Sequence, residues 1–142
     1  MTDTGARVLA LSDLKQGDVT TVDFAIDDRQ MQQFAELSGD FNPLHTDEAF
    51  ARAKGFEGKV VYGALLVAKI SQLIGMHLPG RDSVWASIAL DFRKPLYVER
   101  AAQAEATVAS VSDSTGLVEL ALRVRAEGVV LAKGRAEVIL GR

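Results

Sequence analysis

The sequence predicts an α+β fold in which a long curved antiparallel sheet wraps around one buried helix. Two stretches carry that expectation. From Gly63 to about Ile74, the residues Ala64, Leu65, Leu66, Val67, Ala68, Ile70, Leu73 and Ile74 are apolar on nearly every side of a helix, with Lys69 and Gln72 as its one polar stripe. A helix of that kind is enclosed rather than docked along one face. The second half of the chain then offers four strand segments, Val84–Phe92, Ala102–Val111, Leu117–Ala126 and Val129–Leu140. Short turns join the last three of these, as in an antiparallel meander, and the four together supply the enclosure.

Taken in order, Val8 to Leu11 reads as an apolar lead-in of edge-strand character, and Asp13 to Asp18 as a turn around Gly17. Val19 to Phe24 has strand composition. Asp27 is placed to cap a helix over Asp28 to Leu37, with Gln30 three residues on as in a capping box. That helix puts Met31, Phe34 and Leu37 on one face for burial and stops at Gly39. A second short helix is expected over Asp47 to Ala53 with Thr46 as its cap. Lys54 to Lys59, with Gly55 and Gly58, reads as a loop, and Gly75 as the stop of the buried helix. Along Val84 to Phe92 the alternation places Val84, Ala86, Ile88, Leu90 and Phe92 on one face. Ser112 to Gly116 is a turn, and Glu127-Gly128 a tight hairpin.

The chain has 142 residues, 48% of them hydrophobic and 25% charged, which suits one soluble domain over residues 1–142. A net charge of -3 and a pI near 5.4 give no electrostatic basis for nucleic-acid binding. With no cysteine, disulfide frameworks, thiolate zinc sites and cysteine nucleophiles are excluded. Met1 to Arg7 is short and polar, without a secretory pattern, and the apolar run Val60 to Ala68 is too short to span a bilayer. A cytoplasmic protein is the expectation.

Chemistry concentrates between Phe34 and Ala51, F-A-E-L-S-G-D-F-N-P-L-H-T-D-E-A-F-A. Asp40 and His45, one of two histidines, flank Phe41-Asn42-Pro43-Leu44. Proline fixes its own φ and drives Asn42 out of the helical region, so the backbone turns here. A carboxylate and an imidazole on either side of a tight turn face one small volume, as an acid/base pair requires. The alternative on residues alone is an aspartate that caps a turn and a histidine packed beneath it. A calcium loop fails at Leu44, where a third oxygen ligand is needed. A metal site would need more ligands than this stretch supplies, and His77, beyond the helix, reads as exposed.

This stretch resembles the signature of the MaoC-like dehydratases, the (R)-specific enoyl-CoA hydratase (hydratase 2) family, which has a hot-dog fold. Phe34, Ser38, Gly39, Asp40, Asn42, Pro43, Leu44, His45 and Ala51 fill the family pattern without a gap. A Gly-led apolar helix, a Leu-Pro-Gly turn at Leu78 to Gly80 and a strand ending Phe92-Arg93-Lys94-Pro95 extend the likeness over most of the chain. The resemblance implies that Asp40 and His45 hold one water, which adds syn to a trans-2-enoyl thioester to give an (R)-3-hydroxyacyl thioester. It leaves open which of the pair is base and which is acid. It assigns the Gly63 backbone N–H to the developing enolate oxygen, in keeping with the unpaired N–H groups and dipole of a helix N-terminus. It gives Asn42 a loop-shaping role and suggests that Ser71 reaches the site.

One departure stands out. Where many relatives have His-Gly before the helix, this chain has Tyr62-Gly63. Two readings follow: an aromatic replaces an aromatic at a packing position, or the phenol alters pocket depth and substrate range. Hot-dog thioesterases and carrier-protein dehydratases usually place an acid on the central helix, and Gly63 to Gly75 has none. A non-catalytic acyl-thioester-binding subunit is opposed by the intact pair. The resemblance further implies an acyl-CoA (or acyl-carrier-protein) substrate, no cofactor beyond the coenzyme A of that substrate, no membrane partner, and a homodimer or higher homo-oligomer. Lys59, Arg93 and Lys94 are candidates to meet coenzyme A phosphates. Leu65, Leu66, Phe56 and Trp85 are expected to set pocket depth.

Overall fold

A computed structural model describes residues 3–141; Met1, Thr2 and Arg142, which the 1–142 and N-terminal expectations include, lie outside them. Five antiparallel strands form one sheet in the order β1-β3-β4-β5-β2, with β1 Val19–Phe24, β2 Ser83–Phe92, β3 Ala102–Val111, β4 Leu117–Ala126 and β5 Val129–Leu140. Four helices, α1 Asp28–Ser38, α2 Pro43–Thr46, α3 Glu48–Ala53 and α4 Gly63–Met76, lie between β1 and β2. The meander covers β3 to β5 alone. β2 does not continue it: the nine-residue connection 93–101 carries the chain back past β5 and β4, so that β2 and β1 become the two edges.

The α1 helix begins as its sequence dictates. Asp27 accepts from Gln30 N–H at 2.8 Å and the Gln30 side chain accepts from Asp27 N–H at 3.0 Å, which closes the capping box. Gly39 ends it in the left-handed region, φ 75°, where glycine is least strained. Its buried face is Met31 and Ala35, with Phe34 half-buried; Leu37, expected inside, is 88% exposed. We expect Asp27→Ala to cost about 1 kcal/mol, read as a lower urea midpoint at unchanged slope.

α4 is the pivot of the core. It packs against β3, β1 and β2, burying Leu66, Ile70, Leu73 and Ile74, each worth about 2 kcal/mol in removed apolar surface. Leu120, Leu122, Val108, Val118, Val124 and Val138 meet it from the inner face of the sheet. The helix is not enclosed all round, however: Ala64, Ala68, Ser71 and Gln72 are exposed, because one sheet covers only one side. It also runs through Gly75 to Met76, with a half-buried His77 at its C-cap.

Three local expectations change. Val8 to Ala10 forms no strand, and Leu11–Asp13 makes a single 3-10 turn. Asp47, not Thr46, caps α3 by accepting from Phe50 N–H at 3.1 Å, because Thr46 closes the short helix α2. In β2 the register slips between Trp85 and Ser87. That bulge moves Val84 and Ala86 off the shared face: Trp85, Ile88, Leu90 and Phe92 pair with Val138, Ala136, Gly134 and Ala132, whereas Val84 pairs with Ile139. Between β4 and β5, Glu127 and Gly128 both take positive φ, 52° and 75°, as a two-residue hairpin turn requires.

Candidate active site

Everything that shapes the site starts from the Gly39-to-Pro43 turn. Ser38 Oγ donates to the Phe34 carbonyl at 2.7 Å and accepts from Asp40 N–H at 3.1 Å, setting the chain's exit from α1. Asp40 Oδ1 then accepts from Asn42 N–H at 3.0 Å, and Asn42 Oδ1 from Leu44 N–H at 3.0 Å. The second of these makes Asn42 the N-cap of α2, with Pro43 at its first position, where a missing N–H costs nothing. Asn42 thus shapes the loop, and its amide oxygen is committed to the backbone. This one-turn helix turns His45 inward, half-buried, while Asp40 remains exposed.

The wall behind the turn is Val60 to Tyr62. Val60 N–H donates to the Leu44 carbonyl at 3.2 Å. His45 Nδ1 lies 2.6 Å from the Val60 carbonyl oxygen. A carbonyl only accepts, so Nδ1 carries a proton and donates it, and Nε2 is the ring nitrogen left free of the backbone. Tyr62 is buried, 2% exposed, and its hydroxyl donates to the Asp40 carbonyl at 2.6 Å. Its ring stacks on Phe34 (centroids 4.7 Å apart, 8° between planes) and on His45 (4.1 Å, 26°). Contacts of this kind are worth about 0.5–1.5 kcal/mol beyond burial. Burial first, and the Asp40 carboxylate second, push the Tyr62 phenol above its usual range, so it is a neutral donor at physiological pH.

Gly63, the next residue, opens α4 and contributes one of the N–H groups that a helix leaves without an intrahelical partner. Gly63 and His45 line one cavity of about 350 Å³, together with Phe56, Leu66, Phe92 and Pro95. Its lining also includes Arg93 and Lys94. A Cβ on Gly63 would lie 3.0 Å from Phe92 Cζ, so the aromatic wall closes directly on the glycine. Of the residues expected to set pocket depth, Leu66 and Phe56 line this cavity and Leu65 and Trp85 do not. Tyr62 lies behind His45 and lines neither this cavity nor the next. That favours the packing reading of the aromatic over the pocket-depth one.

A second cavity of about 330 Å³ opens on the other side of His45, between α1 and the turn, lined by Met31, Ala35, Phe41 and Lys59. Lys59 is held there by an ion pair with Asp28, away from Arg93 and Lys94. Ser71 is on the exposed side of α4, roughly 12 Å along the axis from Gly63, and is not part of the Gly63 cavity. A larger open depression of about 750 Å³ lies at the ends of β1, β3 and β4. It contains neither a histidine nor a helix N-terminus.

An α+β hot dog whose turn histidine shares a cavity with the glycine start of its central helix defines a class, the MaoC-like hydro-lyase architecture; the exposed Asp40, on the same turn, lines neither of the two cavities beside His45. The MaoC like domain model matches residues 12–130, and the chain belongs to that family. It is 38% identical over 103 residues to an (R)-specific enoyl-CoA hydratase of Aeromonas caviae, spanning 72% of this chain and 77% of the relative. Over 130 residues it is 30% identical to a 3-hydroxybutyryl-CoA dehydratase of Methylorubrum extorquens (92% and 83% covered). The solved (R)-hydratase from A. caviae involved in PHA biosynthesis superposes with a TM-score of 0.87 at 33% identity, covering 90% of this chain and 98% of that one.

Two members of this site were not singled out from the sequence. Val60 acts through a main-chain carbonyl, which no residue type announces. Phe92 was placed on a strand face but not at Gly63, because its approach to the start of α4 is a tertiary contact that alternation does not encode.

Proposed function

We propose that the chain is an (R)-specific enoyl-CoA hydratase, a hydro-lyase that adds water across the double bond of a trans-2-enoyl thioester of coenzyme A and runs in reverse as a dehydratase. The observation that carries this reading is the shared cavity of His45 and Gly63, with Asp40 on the same turn. In the reaction, the water oxygen bonds to C3 and C2 receives a proton, while one water proton leaves. Nε2 of His45 and the free Oδ2 of Asp40 are the atoms that exchange those protons, since Nδ1 and Oδ1 are engaged with the backbone. Negative charge builds on the thioester oxygen as the water oxygen bonds to C3, and is discharged when C2 of the enolate takes its proton. The Gly63 N–H at the positive end of α4 meets it. Arg93 and Lys94 supply positive charge at the same cavity for the phosphates of coenzyme A. None of these steps calls on a cofactor.

The test is loss of enoyl absorbance with crotonyl-CoA and longer enoyl-CoAs. Turnover to the (R)-3-hydroxyacyl product supports the reading, and release of free coenzyme A would instead make the chain a thioesterase. Absence of an acid anywhere on α4 speaks against that second outcome.

The working unit we propose is a homodimer joined through β2. This strand is an open edge bearing Val84, Ile88 and Phe92 at 59%, 38% and 54% exposure, and the uncovered side of α4 adds Ala64 and Ala68. An unpaired apolar edge of this kind is a liability unless a second copy covers it. Ile88→Glu is expected to convert a dimer to a monomer in light scattering after size exclusion. A wild type that runs as a monomer would refute the assembly. No helix among the described residues is long and apolar enough to cross a membrane.

A further inference from the structure

We propose that Tyr62 is a positioning residue: its ring, held between Phe34 and His45, and its hydroxyl, donated to the Asp40 carbonyl, fix imidazole and aspartate in one relation to Gly63. The inference rests on the hydratase reading for its effect on rate, but its geometry stands apart from it. Two residues of the wall, Val60 and Tyr62, make three connections to the catalytic turn. Val60 N–H holds Leu44, the Val60 carbonyl holds His45 Nδ1, and the Tyr62 hydroxyl holds Asp40. The third is the only one of the three made by a side chain of the wall, and it reaches the residue at the far end of the turn.

Tyr62 is also the N-cap residue of α4, yet its side chain makes no cap hydrogen bond. Its polar atom is spent on the Asp40 carbonyl instead, 22 residues away in sequence. One side chain therefore touches His45 through its face, Asp40 through its hydroxyl and Gly63 through the peptide bond. Displacing it moves the proton-transfer groups relative to the N–H that receives the enolate charge. Misplacement of about 1 Å at a reacting centre costs on the order of 10²-fold in rate. Phe34 backs the ring from the other side at 4.7 Å, so the phenol has no room to tilt away.

The phenol and the ring are separable by substitution. Tyr62→Phe keeps the stack and deletes the hydroxyl. We expect kcat to fall about tenfold, with KM within about twofold of wild type and no fall in melting temperature beyond a few degrees. Tyr62→Leu removes the stack as well and is expected to lose about 10²-fold in kcat, with Tyr62→Phe as its partial rescue. Imidazole NMR reads the same contact without turnover, since His45 and His77 are the only two histidines. The Tyr62→Leu change should remove the ring-current shift from the His45 ring protons and leave those of His77 in place. A Tyr62→Phe enzyme with wild-type kcat would overturn the role of the hydroxyl. His45 signals indifferent to Tyr62→Leu would overturn the clamp. A wild type that hydrates no enoyl thioester would sink the hydratase reading alone, and the imidazole signals would still decide the clamp.

Discussion

Asp40→Asn and His45→Asn should each reduce kcat for crotonyl-CoA hydration by about 10³-fold or more, while the protein stays folded. The choice of replacement follows from the contacts. Asparagine at 40 retains an oxygen to accept from Asn42 N–H, as Oδ1 does at 3.0 Å, so the turn keeps its shape and loses its carboxylate. Asparagine at 45 places an amide N–H near the position of Nδ1, which donates to the Val60 carbonyl at 2.6 Å, and deletes Nε2. Positioned proton transfer contributes about 10²–10⁴-fold, and each residue carries one of the two transfers. On the proposed mechanism the pair acts on a single water, so the two losses should not add. The double variant is expected to be little slower than the worse single one, as with other catalytic groups that work as a unit. Steady-state rates on the three variants, with circular dichroism to confirm folding, check the expectation. Either single variant retaining full activity would remove that residue from the chemistry.

How much of this was legible in the sequence depends on whether the determinant was local. The ends of β3, β4 and β5 were readable because hairpin chemistry and strict alternation agree there; Glu127-Gly128 can hardly be anything but a turn. The capping box at Asp27 and the stop at Gly39 were readable for the same reason. What escaped was set by tertiary geometry. Leu37 fits the apolar face of α1 by period, but the chain offers nothing to cover it. The β2 bulge reverses half of an alternation that looked regular. Four residues of α2 cannot be told from a turn by periodicity, although Asn42-Pro43 does carry the cap-then-proline order of a helix start. At the site, the motif pointed to Asp40, His45 and Gly63, of which His45 and Gly63 line one cavity. Their mutual fixing by Val60 and Tyr62 depends on a main-chain carbonyl and a contact spanning 22 residues, neither of which composition encodes.

Gly63 gives the second large effect, and a matched pair of substitutions isolates its cause. Gly63→Pro removes the N–H and puts the ring Cδ in its place. The first position of a helix tolerates proline because its N–H has no intrahelical partner, and the preceding residue must be extended or polyproline-like. Tyr62 already is, with φ -54° and ψ 131°. Any side chain here also adds a Cβ, 3.0 Å from Phe92 Cζ and 3.1 Å from Cε1. The Phe92 ring must give by a few tenths of an ångström to accept it. Gly63→Ala carries that same Cβ and keeps the N–H, and so measures the steric part alone. If the N–H binds the enolate oxygen, Gly63→Pro should lose about 10²–10³-fold in kcat, the usual worth of one oxyanion donor. Gly63→Ala should stay within about tenfold of wild type, with the change chiefly in KM as Phe92 moves into the cavity. Equal losses in the two variants would mean that the glycine serves only to let Phe92 close on the helix, and that the enolate charge is met elsewhere. A selective loss in the proline variant would tie the start of α4, through Tyr62, to the same chemical step as Asp40 and His45.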